Sequence, residues 1–227
     1  MTTTVTPGLG TVPVQRPGQG SGQRSGGPRR TQAQRRAESE RRLIQAAAEL
    51  MVERGIEGAS LAEIGRRAGY SHSLVHQRFG SKDALIERLA EEAVRLFTVS
   101  IVDAIGDAQG ALAVRMVAEN YLDLVQGADP IARVHLLVWC EAIAAGSAKR
   151  PYRVGWDRLL RMSLAAMISA GIADGSIRSG LEPEPAAVII VGLLRGVSLQ
   201  LMIDPDAGTA AGARAAVLHH LDRMLGR

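Results

Sequence analysis

The sequence predicts an all-α protein in two parts: an N-terminal three-helix helix-turn-helix unit, then a larger helical region. Three observations predict this. Apolar residues make up 46% of the 227 but aromatics only 3%. The core must therefore be built from Ala, Leu, Val, Ile and Met, and an alanine-rich composition with few β-branched runs favours helices over sheets. Apolar residues recur at helical spacing along most of the chain. Finally, residues 60–82, SLAEIGRRAGYSHSLVHQRFGSK, break into two short helices around a glycine corner.

Residues 1–36 are rich in Gly, Pro, Thr, Gln and Arg, with almost no large apolar side chains. Such a stretch cannot bury enough surface to offset its ordering entropy and reads as a disordered basic tail. Arg24, Arg29, Arg30, Arg35 and Arg36 suit an arm lying along phosphates or in a minor groove; a solvated tail that aids solubility is the alternative. Gly18, Gly20 and Gly22 lie close together, but no strand precedes them and no helix follows, which argues against a nucleotide-binding loop.

The first helix is expected over residues 37–54, with Leu43, Ala47, Leu50 and Met51 on one face. Gly55 ends it, and Ile56 packs back on the unit. Ser60 is a good N-cap for the second helix, whose Leu61, Ile64 and Ala68 form a buried stripe. Gly65 sits where a crossing helix must come close. Gly69 follows the last apolar residue, where helices commonly end in a left-handed conformation. Ser71 caps the third helix, with Leu74, Val75 and Phe79 inward. That leaves Ser71, His72, Ser73, His76, Gln77 and Arg78 outward, all able to hydrogen-bond and none acidic. Two helices of about eight residues joined by a short turn containing Gly describe a helix-turn-helix, whose second helix reads base edges in the major groove. An ordinary helical hairpin is the alternative, although one would rarely keep acids off the whole exposed face of its second helix.

The run GYSHSLVHQRFGSKDAL resembles the signature of the TetR family of bacterial transcriptional regulators. The preceding AESERRLIQAAAELMVERGIEGASLAEIGRRAG resembles that family's first and second helices. The resemblance is specific over residues 37–90 and architectural beyond them. It implies a ligand-responsive regulator, read here as a repressor, that binds double-stranded DNA at an inverted-repeat operator as a homodimer and is released by a small molecule. Together with the helix face, it implies that His72, Ser73, Gln77 and Arg78 lie nearest the bases while Ser60, Ser71, His76 and Lys82 hold phosphates. The chain departs from the family at two positions: Tyr is usual where it has His76, and Lys or another polar residue is common where it has His72. His76 can still donate to a phosphate, but its charge then depends on pH. A ligand-independent DNA-binding protein, or a helical enzyme or carrier with an incidental hairpin, are the rival classes.

Gly80 breaks the chain after Phe79, and Ser81 caps a longer helix with Asp83 in its first turn, where an acid complements the dipole. Lys82 lies at the same end, where it and the free amides can meet a phosphate. Leu85, Ile86, Leu89, Val94 and Phe97 continue the pattern to about Ile105. This helix touches the reading head at its start and enters the second part along its length, so it is the natural lever between them. Helices are then expected over 111–125, 131–145 and 152–170, with a loop at 146–151 and a connection punctuated by Gly171, Gly175 and Gly180. Glu182, Pro183, Glu184 and Pro185 make a strong helix start. The helix that follows, to about Ile203, is nearly apolar all round, and a last amphipathic helix covers 209–225. The expected domains are 1–36, the disordered tail; 37–82, the DNA-binding unit; and 83–227, the helical ligand-binding and dimerisation unit.

A helix apolar on all sides must be covered on all sides. The surplus face of the helix over 186–203, with Gly192 and Gly196 allowing close approach, argues for pairing with a second copy, together with the last helix. Leu199, Leu218 and Leu221 are the accompanying dimerisation candidates; a central helix buried in a monomer is the alternative. The resemblance also implies a ligand pocket among the helices between 85 and 175. Met116, Tyr121, His135, Trp139, Trp156 and Met162 are candidate lining residues, each also readable as plain core.

Residues 1–82 carry 13 Lys/Arg against 6 Asp/Glu, a net +7, while residues 83–227 carry 14 against 17, a net −3. Positive charge gathered at one end marks where a polyanion would dock. The single Cys140 leaves no internal disulfide, suits a reducing compartment, and reads as a small core residue. The longest wholly apolar run, residues 186–194, is too short to span a bilayer and is stopped by Arg195. No apolar core follows the N-terminal charges, so a secretory signal is not expected. A cytoplasmic protein with no membrane partner is the expectation. His72 and His76 have the spacing of a zinc pair, but no third ligand lies nearby and HExxH is absent, so no metal site is expected. No phosphate loop, nucleophile elbow or recognisable carboxylate pair is present; neither catalysis nor a cofactor is expected.

Overall fold

The computed structural model describes residues 31–144 and 150–226, which form nine α-helices and no strand among the described residues. Residues 1–30, with Arg24, Arg29 and Arg30 of the expected arm, lie outside the described residues, as do residues 145–149, which take in the end of the helix expected over 131–145 and most of the loop expected over 146–151. Helix α1 spans Gln32–Gly58 and starts earlier than apolar spacing alone predicts. The cause is a capping box. Thr31 Oγ1 accepts the Gln34 amide hydrogen, and the Thr31 amide donates to Gln34 Oε1. Arg35 and Arg36 are therefore helical and exposed. At Gly55 the backbone leaves the helical region (φ 76°, ψ 168°), a conformation open to glycine. The long helix breaks there as expected, and a further turn seats Ile56 on the core.

The remaining helices are α2 (Leu61–Ala68), α3 (His72–Phe79), α4 (Lys82–Ile105), α5 (Gly110–Gln126), α6 (Pro130–Ala144), α7 (Arg150–Ala173), α8 (Pro183–Ile203) and α9 (Ala210–Leu225). Gly171 does not end α7 as expected but lies inside it. A Cβ there would fall 2.6 Å from Ile177 and 3.0 Å from the Gly110 Cα. The glycine thus permits the start of α5 to lie against α7.

Apolar residues gather in two clusters. The first joins Leu43, Leu50, Met51, Ile64, Val75, Leu85 and Leu89 of α1–α4, and Val134 and Val138 of α6 complete it. Burying an aliphatic side chain contributes about 1.5–3 kcal/mol, so these two valines tie α6 firmly to the helix-turn-helix unit. The second cluster gathers Phe97 of α4 with Tyr121, Leu136, Leu164, Ile190 and Leu221 of the later helices. Helix α4 contributes to both clusters.

By length and composition, α8 could cross a bilayer. Its inner face instead joins the second cluster, and its Arg195 is buried and ion-paired with Asp157 of α7. Its outer face is bare: Val188 is 51% and Ile189 58% exposed, and Gly192 and Gly196 are exposed with open space beside them. Leu199 is half-buried. Leu218 and Leu221, expected at a contact between copies, are not part of this bare face. Both lie inside the subunit's own core, because the apolar stripe of α9 (Val217, Leu218, Leu221, Leu225) is used up in packing it onto the bundle.

Candidate functional site

Three serine hydroxyls set the helices that aim α3. Ser60 Oγ accepts the Glu63 amide hydrogen at 3.2 Å and donates to the Glu63 carboxylate at 2.9 Å. Ser71 Oγ accepts from the Leu74 amide and Ser81 Oγ from the Ala84 amide. Gly69 closes α2 in the left-handed region (φ 79°, ψ 28°). Helices α2 and α3 cross at Gly65, where a Cβ would meet Val75 Cγ2 at 2.9 Å and the Tyr70 carbonyl oxygen at 3.0 Å. Val75 is fully buried, with Leu74 and Phe79 partly so.

On the opposite face Ser71, His72, Ser73, His76 and Gln77 are exposed, and the His72 and His76 rings stack with centroids 6.5 Å apart. Arg78 departs from the expected pattern. It lies one turn beyond half-buried Leu74, on the inner shoulder of the helix. It is itself half-buried, and its Nε is buried without a hydrogen-bond partner among the described residues. Lys82 sits at the edge of the head, where its ammonium donates to the Glu57 carbonyl at 3.1 Å and lies 3.7 Å from the Glu57 carboxylate.

Ion pairs hold the head together from outside. Arg67 makes two hydrogen bonds to Glu53, at 2.6 and 2.8 Å; Arg54 reaches Glu63 at 2.6 Å and Arg88 reaches Glu40 at 2.8 Å. The Arg67 hydrogen bond holds the Glu53 carboxyl below its ordinary range. The Ser60 hydroxyl, then Arg54, does the same for Glu63. Each pair faces solvent and is individually weak. Arg67–Glu53 and Arg54–Glu63 join α2 to α1, and Arg88–Glu40 joins α4 to α1.

Within the later helices a second group of polar and aromatic side chains comes together. The Phe97 ring lies 5.3 Å from Tyr121 and 5.0 Å from His135, and His135 lies 5.1 Å from Trp156. The Arg195 guanidinium covers the face of Trp139 at 4.0 Å and pairs with Asp157, whose other oxygen takes Arg161 at 3.0 Å. Four of the six expected lining residues, Tyr121, His135, Trp139 and Trp156, thus share one neighbourhood. Met116 is half-buried on α5, apart from the second apolar cluster. Met162, expected to line the pocket, is instead 62% exposed and lines an open groove of about 560 Å³ between α7 and α8 with Arg158, Ala165 and Val188. The inward stripe of α7 is Leu160, Leu164 and Ile168, and Met162 falls off it. Cys140, expected in the core, is exposed.

Sequence reasoning missed Phe97, Asp157 and Arg195 in this neighbourhood, together with Ser198, buried on α8 three residues after Arg195. Arg195 offered a signal, as a lone charge in an otherwise apolar helix.

Residues 43–89 match the family described as bacterial regulatory proteins, tetR family, and residues 111–226 match the BetI-type transcriptional repressor C-terminal family. A Burkholderia mallei protein named HTH-type transcriptional regulator BetI is 31% identical over 172 residues, covering 73% of this chain and 85% of that protein. Two solved structures share the fold. One is AibR in complex with isovaleryl coenzyme A and operator DNA (TM-score 0.66, 19% identity, 80% of this chain and 97% of that one). The other is a transcriptional regulator from Saccharomonospora viridis in complex with choline (TM-score 0.68, 19% identity, 82% and 96%). With its helix-turn-helix unit and its later helices each matched, the chain belongs to the TetR family of DNA-binding bacterial transcriptional regulators.

Proposed function

We propose that this regulator is a cytoplasmic homodimeric repressor that reads an inverted-repeat operator with two copies of α3 and leaves it when a small molecule binds among the later helices. In this reading residues 37–82 recognise DNA and residues 83–227 bind the effector and dimerise. His72, Ser73, Gln77 and the tip of Arg78 approach the bases; Ser60, Ser71, His76 and Lys82 hold phosphates. Gly192, Gly196 and Leu199 line the contact between copies, beside Val188 and Ile189.

The observation that carries this reading is the presence on one subunit of two unsatisfied surfaces: an acid-free polar face on α3 and a bare apolar face on α8. The first suits phosphates and base edges; the second suits its own copy across a twofold axis. The ligands of the two structural relatives, choline and isovaleryl coenzyme A, support a small-molecule effector and represent different chemical classes. An effector can act only by binding one spacing of the two heads more tightly than the other. Selection of bound fragments from random duplex DNA, at stated salt, tests the reading. An inverted repeat occupied by two chains, or a multiple of two, is the expected result. A single half-site held by one chain would refute it.

A further inference from the structure

We propose that the interior polar cluster receives a carboxylate, so that the effector is a small aliphatic carboxylic acid in its ionised form. The inference rests on the effector reading above and names the class of molecule.

The polar atoms of the cluster are predominantly donors, and they are buried. Arg195 is 8% exposed, and its Nε and Nη2 have no hydrogen-bond partner among the described residues; only Nη1 is used, on Asp157. Trp139 Nε1 and Ser198 Oγ are likewise buried without partners among the described residues, and the buried Tyr121 Oη lies beside Arg195. Leaving one such group unpaired is costly, and a folded protein rarely leaves several in one place. Ser198 lies three residues after Arg195, on the same face of α8. Trp139 lies under the Arg195 guanidinium. Burial pushes the Tyr121 phenol up to about 12, with Arg195 partly opposing the shift, so it stays a donor at neutral pH.

Charge points the same way. Asp157 faces two guanidinium groups, Arg195 and Arg161, and both its oxygens are engaged. The local balance is one positive charge in excess. A quaternary ammonium would be repelled by this excess, whereas a carboxylate would be attracted by it. Glu141, whose Oε2 is buried without a partner among the described residues, lies two residues beyond Trp139 and so on the other side of α6. A planar carboxylate matches the two free guanidinium nitrogens, and Phe97 and Trp156 offer apolar surface for a hydrocarbon body.

The chain has two tryptophans, and both belong to this cluster. Titration of the full-length protein with hexanoate, hexanamide and choline, followed by tryptophan fluorescence, is therefore a direct test. Saturable binding of hexanoate, at least about tenfold tighter than the neutral amide, is expected. Tyr121→Phe should weaken hexanoate severalfold and the amide less, narrowing the difference between them; it preserves shape where Arg195→Met would strand Asp157. Equal binding of acid and amide, binding of choline with no response to the acid, or no response at all would overturn the proposal. Anisotropy of labelled operator DNA separates the two readings. A carboxylate that binds without releasing operator upholds the site and removes its effector role, whereas choline that releases operator while the acid stays silent does the reverse.

Discussion

Val138 and Trp139 are neighbours on α6 that belong to different cores. Val138 is buried among α1–α4 side chains in the helix-turn-helix cluster, while Trp139 lies beneath Arg195 in the interior polar group. Val134 and His135, one turn earlier, divide in the same way. A rotation of α6 that accommodates a ligand on one side therefore repacks the head on the other.

Val138→Ala should lower stability by about 1–3 kcal/mol and also reduce operator affinity, because the void opens beneath the head. Val125→Ala, in the second cluster, should cost similar stability with operator affinity unchanged. Thermal melts and operator anisotropy on both variants check this. Equal effects on DNA would remove the coupling role of α6.

Gly65→Ala forces a Cβ against Val75 and the Tyr70 carbonyl. The carbonyl is backbone and cannot rotate away, so α3 must shift relative to α2. A loss of about 1–3 kcal/mol in stability, several degrees in melting temperature, is expected. Operator affinity should fall further than random-DNA affinity, since misaim affects base contacts more than phosphate contacts. A variant that melts low yet keeps full operator discrimination would contradict this account.

Gln77→Ala and Lys82→Ala should separate reading from holding. Loss of Gln77 should cost about 1–3 kcal/mol on operator and relax specificity at one base pair. Loss of Lys82 should weaken operator and random duplexes alike and reduce the salt slope by about 1. Binding isotherms on both DNAs at several salt concentrations decide the assignment.

Ile189→Glu places a charge in the bare face of α8. Light scattering should report two chains for the natural protein and one for the variant, and binding to the full inverted repeat should weaken to that of a half-site. A variant still containing two chains would place the interface elsewhere.

Tyr121 titrates near 10 when exposed and is raised to about 12 in the fold. The native state therefore holds this proton more tightly than the unfolded state. Its contribution to stability is fully present below about pH 10 and is lost as pH rises toward 12. Tyr121→Phe should flatten that alkaline loss, as read from melts across this range.

The reading head was legible because its signals are local. Ser60, Gly69, Ser71 and Ser81 are caps, and a cap is decided by the few residues that follow or precede it. The interior cluster was only half legible. Pairing Arg195 with Asp157 and Trp139 joins residues far apart in sequence, and no spacing rule connects them. Leu218 and Leu221 show the complementary failure: periodicity identifies which face of α9 is apolar, but not whether its own subunit or another covers it. The start of α1 was misjudged because apolar spacing locates buried faces, whereas the capping box of Thr31 and Gln34 extends a helix into solvent.

The ion pairs that brace the head, Arg67 with Glu53, Arg54 with Glu63 and Arg88 with Glu40, stand in the same solution as the phosphates it meets. Added electrolyte screens both, loosening the brace while it weakens the grip. A slope of affinity against ionic strength thus sums two processes, counterion release and a softening of the reading unit itself. Melting the DNA-free protein across the same salt series shows whether the reading unit softens as salt rises.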